Sequence, residues 1–276
     1  MSIDVTNVSF SYDPGTSLER TALKNVNLSI GRGEFVLIGG EIGSGKSTLI
    51  RHFNGLLRPS SGSVSVDGAE AHVKSVRKKV GILFQFPQNQ LFARSVYEDV
   101  AFGPCNFGAK GDELRKKVTK ALRMAGVREE LYEHSPFTLS GGEMRLVAIA
   151  GVLAIRPDYL VLDEPLSGLD PEHRESLLKI LRSLHMQGSS VIVVSHWIAD
   201  LLPLADKIIL MEKGKISFVG SPEEYVKSTS TPLPEITSLM KKLQQKGFDV
   251  RDDIFDVGEA LNEIIRVKKE RLGSMQ

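Results

Sequence analysis

The sequence predicts an α/β fold with a parallel sheet at its core, a smaller antiparallel sheet beside it and an inserted helical segment. Short, continuous apolar runs at 81–84, 159–162 and 191–194 are typical of fully buried parallel strands. Apolar residues at helical spacing lie between these runs, at 114–125 and 177–184. Strands that alternate with helices in this way favour a parallel core.

The first 66 residues predict the antiparallel sheet. Short β-rich pieces at 3–5, 26–30 and 63–66 are separated by turn-forming clusters at 13–15 and 59–62. We expect these pieces to form an edge sheet around the first helix of the chain.

A glycine-rich loop between a strand and a helix carries the strongest functional signal. It follows the apolar run 35–38, and its residues are Gly40, Glu41, Ile42, Gly43, Ser44, Gly45, Lys46, Ser47 and Thr48. Glycine, four residues and Gly-Lys-Ser form the P-loop pattern, in which backbone N–H groups and the dipole of the next helix cradle phosphates. Lys46 can reach the β- and γ-phosphates, and the Ser47 hydroxyl suits Mg²⁺. The alternative is a turn that merely joins strand to helix.

Helical patterns dominate from about residue 86 to 155 and interrupt the series of strands, so we expect an inserted helical subdomain there. Two more strands, at 207–211 and 216–219, are joined by a turn at Lys213-Gly214.

After these strands the composition of the chain changes. Residues 228–234 are rich in serine, threonine and proline and predict a linker, followed by an amphipathic helix at 236–247 and a second helical pattern near Leu261. Such small helices have little core of their own. They should pack on the main body or on another subunit, with a solvated tail as the alternative.

Composition and charge narrow the class of protein. The chain has 276 residues, a net charge of +1 and a pI near 7.8, which gives no global electrostatic case for nucleic acid or an anionic membrane surface. One cysteine, Cys105, and a start without a basic or apolar secretion segment predict a reducing, cytosolic location. No apolar run approaches the roughly 20 residues that span a bilayer, so any membrane role should come through a partner.

Two carboxylates follow the apolar strand at 159–162. Asp163 and Glu164 would lie at the C-terminal edge of the sheet, where open α/β sheets bind ligands and where the P-loop also lies. Asp163 is expected to hold Mg²⁺, directly or through water, and Glu164 to orient and deprotonate an attacking water. Solvated loop charges are the alternative.

Two further polar residues end strands at the same edge. His196 follows the strand at 190–195, where a neutral imidazole could contact the γ-phosphate, although a lone histidine at a strand end is usually structural. Gln85 ends the strand that starts at Gly81 and is placed to accompany the metal ion or the water.

A second glycine-containing segment, made of Ser140, Gly141, Gly142 and Glu143, precedes an apolar helical run. Ser140 and Glu143 are spaced as a capping box. The adjacent glycines carry an entropic cost in the first helical turn and leave bare N–H groups as an anion site. A well-capped helix start without further role is the alternative.

These segments, together with 167–170, resemble in order the motif set of the ATP-binding cassette ATPases. The resemblance covers about residues 1–220, and it implies a P-loop NTPase core with a RecA-like parallel sheet over this nucleotide-binding domain. Residues 221–276 would then be an accessory or dimerisation extension. ATP and Mg²⁺ are the implied cofactors, and ATP hydrolysis is the implied reaction.

The resemblance also assigns roles that the local patterns do not. Tyr12 would stack on adenine, and Gln85 would be the Q-loop residue. Residues 140–143 would bind the γ-phosphate of an ATP molecule held by the opposite subunit, and Asp170 would lie in a loop that crosses the interface. Such a fold works as a dimer, with two nucleotides between the P-loops and the opposing 140–143 segments.

Residues 84–92 and 96–104 resemble, more narrowly, the Q-loop region of energy-coupling factor transporter ATPases, which drive uptake of vitamins, cobalt or nickel. The stretch 233–250 is similar to their accessory domain. The implied partners are a second ATPase subunit, identical or paralogous, a transmembrane coupling protein gripped near 86–92, and a separate substrate-capture membrane subunit. The chain would then lie peripherally at the cytoplasmic face of the membrane.

The chain departs from the family pattern at three places. Glu143 stands where glutamine is commoner, and Leu146 stands where arginine is usual, with Arg145 adjacent. Glutamate still satisfies the helix cap. Glu41-Ile42 is an unusual filling of the P-loop, and the negative charge of Glu41 near phosphates would weaken nucleotide affinity.

Other cassette functions remain open at this point. The chain could serve another ABC importer, act on DNA or the ribosome, or be a regulatory cassette that holds ATP without splitting it. The chain has neither the long coiled-coil insertion of the DNA-repair members nor the second cassette of the ribosomal ones. Intact Glu164 and His196 argue against the regulatory role.

Overall fold

Two sheets and their flanking helices make up the computed structural model, which describes residues 1–196, 198–228, 235–252, 254 and 257–273. The strands, in chain order, are β1 (Ser2–Tyr12), β2 (Arg20–Gly31), β3 (Phe35–Gly39), β4 (Ser61–Val66), β5 (Ala69–Glu70), β6 (Val80–Leu83), β7 (Tyr159–Asp163), β8 (Ser190–Val194), β9 (Lys207–Glu212) and β10 (Lys215–Gly220). The α-helices of the described part are α1 (Lys46–Phe53), α2 (Val76–Lys79), α3 (Val96–Asn106), α4 (Gly111–Met124), α5 (Gly141–Ala154), α6 (Pro171–Met186), α7 (Pro222–Ser228), α8 (Glu235–Gln245) and α9 (Val257–Gly273).

The larger sheet has the strand order β10-β9-β3-β8-β7-β6. Neighbouring strands from β9 to β6 pair in parallel, and β10 closes the edge as an antiparallel hairpin with β9. Every residue of β3, β7 and β8 is buried, as expected for strands covered on both faces. The predicted α/β class and parallel core are confirmed.

The smaller sheet is antiparallel, with the order β2-β1-β4-β5. Its first two strands are longer than the short pieces predicted from sequence, at 11 and 12 residues. The β1–β2 register shifts between Val5 and Phe10, and Asn7 and Asn25 adopt positive φ near these shifts. Such irregularities break the alternation of apolar and polar residues, so the pattern shows fragments where the structure has continuous strands.

Helix α1 lies between the two sheets. Leu49, Ile50 and Phe53 have no exposed surface and join the core that both sheets share. This packing fixes the start of α1, and with it the preceding loop, at the C-terminal edge of β3.

The helical segment α3–α5 lies between β6 and β7 in sequence, although these strands are neighbours in the sheet. It therefore lies within a single strand-to-strand crossover. Its apolar residues pack on the other face of the large sheet, together with α6.

The C-terminal helices α8 and α9 share a small core of their own with the segment between them. Met240 and Ile254 are almost fully buried in it, and the Thr237 hydroxyl donates to the Ile254 carbonyl at 2.8 Å. The Lys241 ammonium donates to the Val226 carbonyl of α7. Ser228 ends α7, and the rest of the predicted linker lies outside the described residues. No helix among the described residues has the length and apolar content to cross a bilayer.

Candidate active site

The glycine-rich loop wraps tightly around the end of β3 because two of its three glycines lie where a side chain would not fit. Gly40 and Gly45 adopt φ values of 138° and 107°. A Cβ at Gly40 would lie 2.2 Å from the Met211 carbonyl oxygen, and one at Gly45 would lie 2.6 Å from that of Ala22. Any other residue would push the loop off its neighbouring strands.

The Lys46 ammonium lies within this loop. Its Nζ donates to the carbonyl oxygens of Gly40 at 2.6 Å and Glu41 at 2.9 Å. Burial lowers the pKa of Lys46, while the nearby carboxylates of Glu164 and Asp163 raise it. The Glu41 side chain is exposed, as is that of Ile42 at 90%. The two unusual residues of the loop are therefore exposed, whereas Ser44, Lys46 and Thr48 are buried.

A cavity of about 210 Å³ opens beside the loop. Its lining residues are Tyr12, Arg20, Ala22, Gly43, Gly45, Lys46, Ser47 and Thr48. The Tyr12 hydroxyl lies 3.0 Å from Thr48 Oγ1, and the Tyr12 ring meets Phe10 edge to face, so its orientation is fixed. Tyr12 therefore lines the cavity beside the P-loop, and its stacking on adenine stays a prediction.

Arg20 was missed by the sequence reasoning. It pairs with Tyr12 across β1 and β2, and its Nη2 would lie 3.3 Å from a Cβ at Gly43. In the sequence, Arg20 is visible only as a cation at the start of the strand that follows Tyr12. The β1–β2 register brings its side chain next to the glycine-rich loop.

Asp163 ends β7 and is 3% exposed. Burial raises its pKa, a hydrogen bond with Ser47 opposes this, and the Glu164 charge adds to it. Its Oδ1 has no hydrogen-bond partner among the described residues. A buried carboxylate oxygen without a partner, beside a hydroxyl, is a donor set that fits Mg²⁺.

Glu164 follows Asp163 and adopts φ of 49°, a strained value for a residue with a Cβ. Its Oε1 accepts from the backbone N–H of His196 and lies 2.8 Å from His196 Nδ1, and its Oε2 accepts from the Ser195 hydroxyl at 3.2 Å. Because an ionised carboxylate only accepts, Nδ1 is the ring nitrogen that donates its proton to Glu164. His196 thus orients Glu164, and sequence reasoning missed Ser195 as the third member of this cluster.

Strand pairing brings these groups together. The Glu164 N–H donates to Val194, and the Ser195 N–H donates to Ile38, so β7, β8 and β3 are joined where the functional residues begin. Gln85 follows β6 at the same edge. Its side chain is exposed, and no hydrogen bond joins it to Asp163 or Glu164 in the described part of the chain.

The 140–143 segment forms the predicted capping box at the start of α5. Glu143 Oε2 accepts from the Ser140 N–H at 2.9 Å and from its hydroxyl at 2.8 Å, and Ser140 Oγ accepts from the Glu143 N–H. These bonds, led by the Ser140 backbone, lower the pKa of Glu143. Arg128, which sequence reasoning did not single out, donates to Glu143 Oε1 at 2.9 Å. No described residue of the segment lines the cavity beside the P-loop of the same chain.

Asp170 is the N-cap residue of α6. Its carboxylate accepts from the His173 N–H at 3.0 Å and lies 2.7 Å from His173 Nδ1. The His173 ring also lies against the 140–143 segment, since a Cβ at Gly142 would be 2.7 Å from it. The first turns of α5 and α6 are therefore in contact.

Comparison with known proteins identifies the family. The ABC transporter family model matches residues 23–167, just over half of the chain. The energy-coupling factor transporter ATP-binding protein EcfA2 of Acetivibrio thermocellus is 45% identical over 276 residues, covering 96% of this chain and 98% of the relative.

Solved structures agree. The structure of cbiO1 from Clostridium perfringens, part of the ABC transporter complex cbiONQ, matches with a TM-score of 0.75 and 37% identity over 89% of this chain and 96% of that chain. The ATP-binding cassette MJ0796, in a dimeric post-hydrolysis state bound to ADP and Pi, matches with a TM-score of 0.71 and 33% identity over 79% of this chain and 98% of that chain. This chain belongs to the ABC transporter family, as one of its ATP-binding cassette ATPases.

Proposed function

We propose that the chain is the ATP-hydrolysing subunit of an energy-coupling factor type importer that takes up a vitamin or a transition-metal ion. The observation that carries the proposal is the Glu164 carboxylate, held by Ser195 and His196 next to the buried Asp163 and the Lys46 ammonium. The similarity to EcfA2 and to cbiO1 supports the transporter type.

Different residues would bind the phosphates, the adenine and the metal ion during phosphoryl transfer to water. The backbone of the glycine-rich loop and Lys46 would hold the phosphates, and Tyr12 would stack on adenine. Ser47 and Asp163, with Gln85 nearby, would hold Mg²⁺, which when bound neutralises charge on the phosphate oxygens.

Glu164 would orient the attacking water and accept its proton. Its Oε1 is occupied by two donors from His196 and its Oε2 by one from Ser195, so the carboxylate has a single orientation and keeps lone pairs for a water. His196 would hold this orientation through its backbone N–H and Nδ1, and an Nε2 that also carries a proton would donate to a γ-phosphate oxygen.

A second ATPase subunit, identical or paralogous, would complete the site. The 140–143 segment lies away from the cavity of its own chain, and the similar cassette MJ0796 is dimeric in its ADP-bound and Pi-bound state. We infer that Ser140, Gly141, Gly142 and Glu143 contact the nucleotide of the opposite chain and that Asp170 lies in the loop at the interface.

The transmembrane coupling protein would dock on exposed aromatic residues of the helical segment. Phe92 and Phe102 are 58% and 50% exposed, and their ring centroids lie 4.8 Å apart in an edge-to-face contact. Phe86 is exposed nearby in sequence. The Asp99 carboxylate accepts from the N–H groups of Phe92 and Ala93 and holds their loop on α3. An exposed pair of packed aromatic rings offers the apolar contact that a protein partner would bury.

The organisation of the chain follows from these roles. We propose that residues 1–220 form the nucleotide-binding unit, with residues 86–155 as its partner-binding helical part, and that 221–276 form an accessory unit. The chain would lie peripherally at the cytoplasmic face of the membrane, and a substrate-capture subunit would select the solute.

The proposal is tested by affinity purification from membranes in mild detergent, with phosphate release as the activity. We expect ATP hydrolysis that Lys46→Ala abolishes, and co-purifying multi-span membrane proteins that mass spectrometry identifies. Phe92→Asp should lose those proteins, whereas Met186→Asp, which changes an 80% exposed methionine at the end of α6, should retain them. Hydrolysis without any integral membrane partner would favour a cassette that acts outside transport, and ATP binding without phosphate release would favour a regulatory cassette.

A further inference from the structure

Arg145 joins the first turns of α5 to the turn that follows Glu164. Its Nη1 donates to the Pro165 carbonyl oxygen at 2.6 Å and to the Ser167 carbonyl oxygen at 2.7 Å. A single guanidinium nitrogen carries two hydrogens, so it satisfies both carbonyls at once. The adjacent Leu146, at the position where the family usually has arginine, packs against the apolar core.

The turn that Arg145 holds begins at a strained residue. Glu164 has φ of 49°, a conformation that L-residues rarely adopt and that persists only when the surroundings over-determine it. The Ser167 N–H donates to the Glu164 carbonyl at 3.2 Å, and Leu166 is 5% exposed in the core. Arg145 adds a side-chain constraint to this backbone bond and this apolar anchor.

Burial of the Arg145 guanidinium is energetically unfavourable. It is partly buried, burial lowers its pKa, and no carboxylate partner accompanies it among the residues that the structure describes. Hydrogen bonds to neutral carbonyl groups offset only part of the free energy that is lost when a cation leaves water. An apolar side chain would fill the same space at lower cost, so the hydrogen bonds to Pro165 and Ser167 need a reason beyond stability.

We propose that Arg145 is a positioning residue for ATP hydrolysis: by fixing the carbonyls of Pro165 and Ser167, it holds the backbone of Glu164 so that its carboxylate stays beside His196. The inference rests on the proposed role of Glu164. Arg145 lies two residues after Glu143, and it therefore also ties the segment that would contact the partner's nucleotide to the base that would serve the nucleotide of its own chain.

Steady-state hydrolysis by the purified full-length chain tests this role, with Arg145→Met and Arg145→Lys as variants. Methionine keeps the length and apolar part of the side chain but donates no hydrogen bond, so we expect kcat to fall about 10- to 100-fold. The KM for ATP, the affinity for a fluorescent ATP analogue and the Tm should stay near their original values, because the loop that holds the phosphates is untouched. Lysine keeps a donor and should recover a large part of kcat. The matched control is Arg182→Met, which changes an exposed arginine on α6 and should leave kcat unchanged.

Three outcomes would overturn the inference. They are an unchanged kcat in Arg145→Met, a loss of kcat matched by equal losses of ATP affinity and Tm, and an Arg145→Lys chain that folds but is as slow as Arg145→Met. If Arg145→Met does not fold, wild-type kcat together with a lowered Tm in Arg145→Lys shows a structural role only. Failure of the proposed function is distinguishable, since the unmodified chain would then release no phosphate.

Discussion

The Oε1 atom of Glu164 lies 2.8 Å from Nδ1 of His196 and accepts the His196 backbone N–H at the same distance. One residue thus contacts the carboxylate through both its main chain and its side chain. The first contact depends on the register of β7 and β8, and the second on the imidazole tautomer. The position of the carboxylate is consequently set by the sheet, and its orientation is set by the ring.

Glu164→Gln should stop hydrolysis while preserving ATP binding. The amide oxygen can still accept the His196 N–H, but a neutral amide cannot take a proton from water, and we expect phosphate release to fall by about 10²- to 10⁴-fold. Closed dimers should accumulate with ATP and can be followed by size-exclusion chromatography with light scattering. Glu175→Gln, on the exposed face of α6, is the control. Normal turnover in Glu164→Gln would remove Glu164 as the base.

Gly45→Ala should abolish nucleotide binding and destabilise the fold. The new Cβ would meet the Ala22 carbonyl at 2.6 Å in a residue that already has φ of 107°, so β2 or the loop has to move. Gly68→Ala is a matched control, because φ is 78° there and the Cβ would meet nothing within 4 Å. The comparison of Tm and ATP affinity between the two variants isolates the contact from the strain. Equal losses in both would contradict the tight fit of the loop.

Asp163→Asn should stabilise the chain without nucleotide and abolish Mg²⁺-dependent hydrolysis. Burial raises the pKa of Asp163 in the folded chain, so the folded state binds its proton more tightly than the unfolded state does. The charged carboxylate therefore destabilises the fold most above both pKa values. We expect the variant to raise Tm by about 2–4 °C at pH 8 in EDTA.

The stabilising effect of Asp163→Asn should shrink as the pH falls through the folded-state pKa, where the original carboxyl is also neutral. Thermal unfolding of both chains from pH 8 down to about pH 4, close to the ordinary pKa of an aspartate, measures the difference. A gain in Tm that is the same at every pH would show that the charge of Asp163 is not its source.

Arg128→Ala should raise the KM for ATP, and adding Glu143→Gln to the same chain should restore it. Glu143 carries a full negative charge at the start of α5, and Arg128 compensates it at 2.9 Å. Without Arg128 we expect the KM for ATP to rise about two- to fivefold, because the exposed charge then repels phosphate. A double-mutant cycle measured at low and high salt isolates the pair. Additive effects of the two changes would indicate that the charges do not interact.

Much of this site could be predicted from sequence because its chemistry depends on local order. The capping box of Ser140 and Glu143 needs only a spacing of three residues. Asp163 and Glu164 follow directly after a buried strand, and parallel strands place their carboxyl ends on one edge whatever the loops do.

The missed residues depend on contacts between distant parts of the chain. Arg20 reaches the glycine-rich loop only through the β1–β2 register, and that register contains shifts that no hydrophobic pattern predicts. Arg128 and Arg145 are ordinary surface-type residues in the sequence. Their partners, at Glu143 and at the carbonyls after Glu164, are determined by how α5 packs on the loop before α6. A main-chain carbonyl as a partner leaves no sequence signal at all.

The strand order of the larger sheet determines how this protein loses activity when it unfolds. The loop after β3, Ser195 after β8 and Glu164 after β7 stand on three adjacent strands whose peptide groups bond to one another up to the functional residues. Neighbouring strands lie about 4.8 Å apart, and this spacing cannot increase without breaking the hydrogen bonds between the strands. Denaturant should therefore not erode activity gradually. Activity and secondary structure should vanish at one midpoint, and the amide protons of Glu164 and Ser195 should exchange with solvent only through global opening.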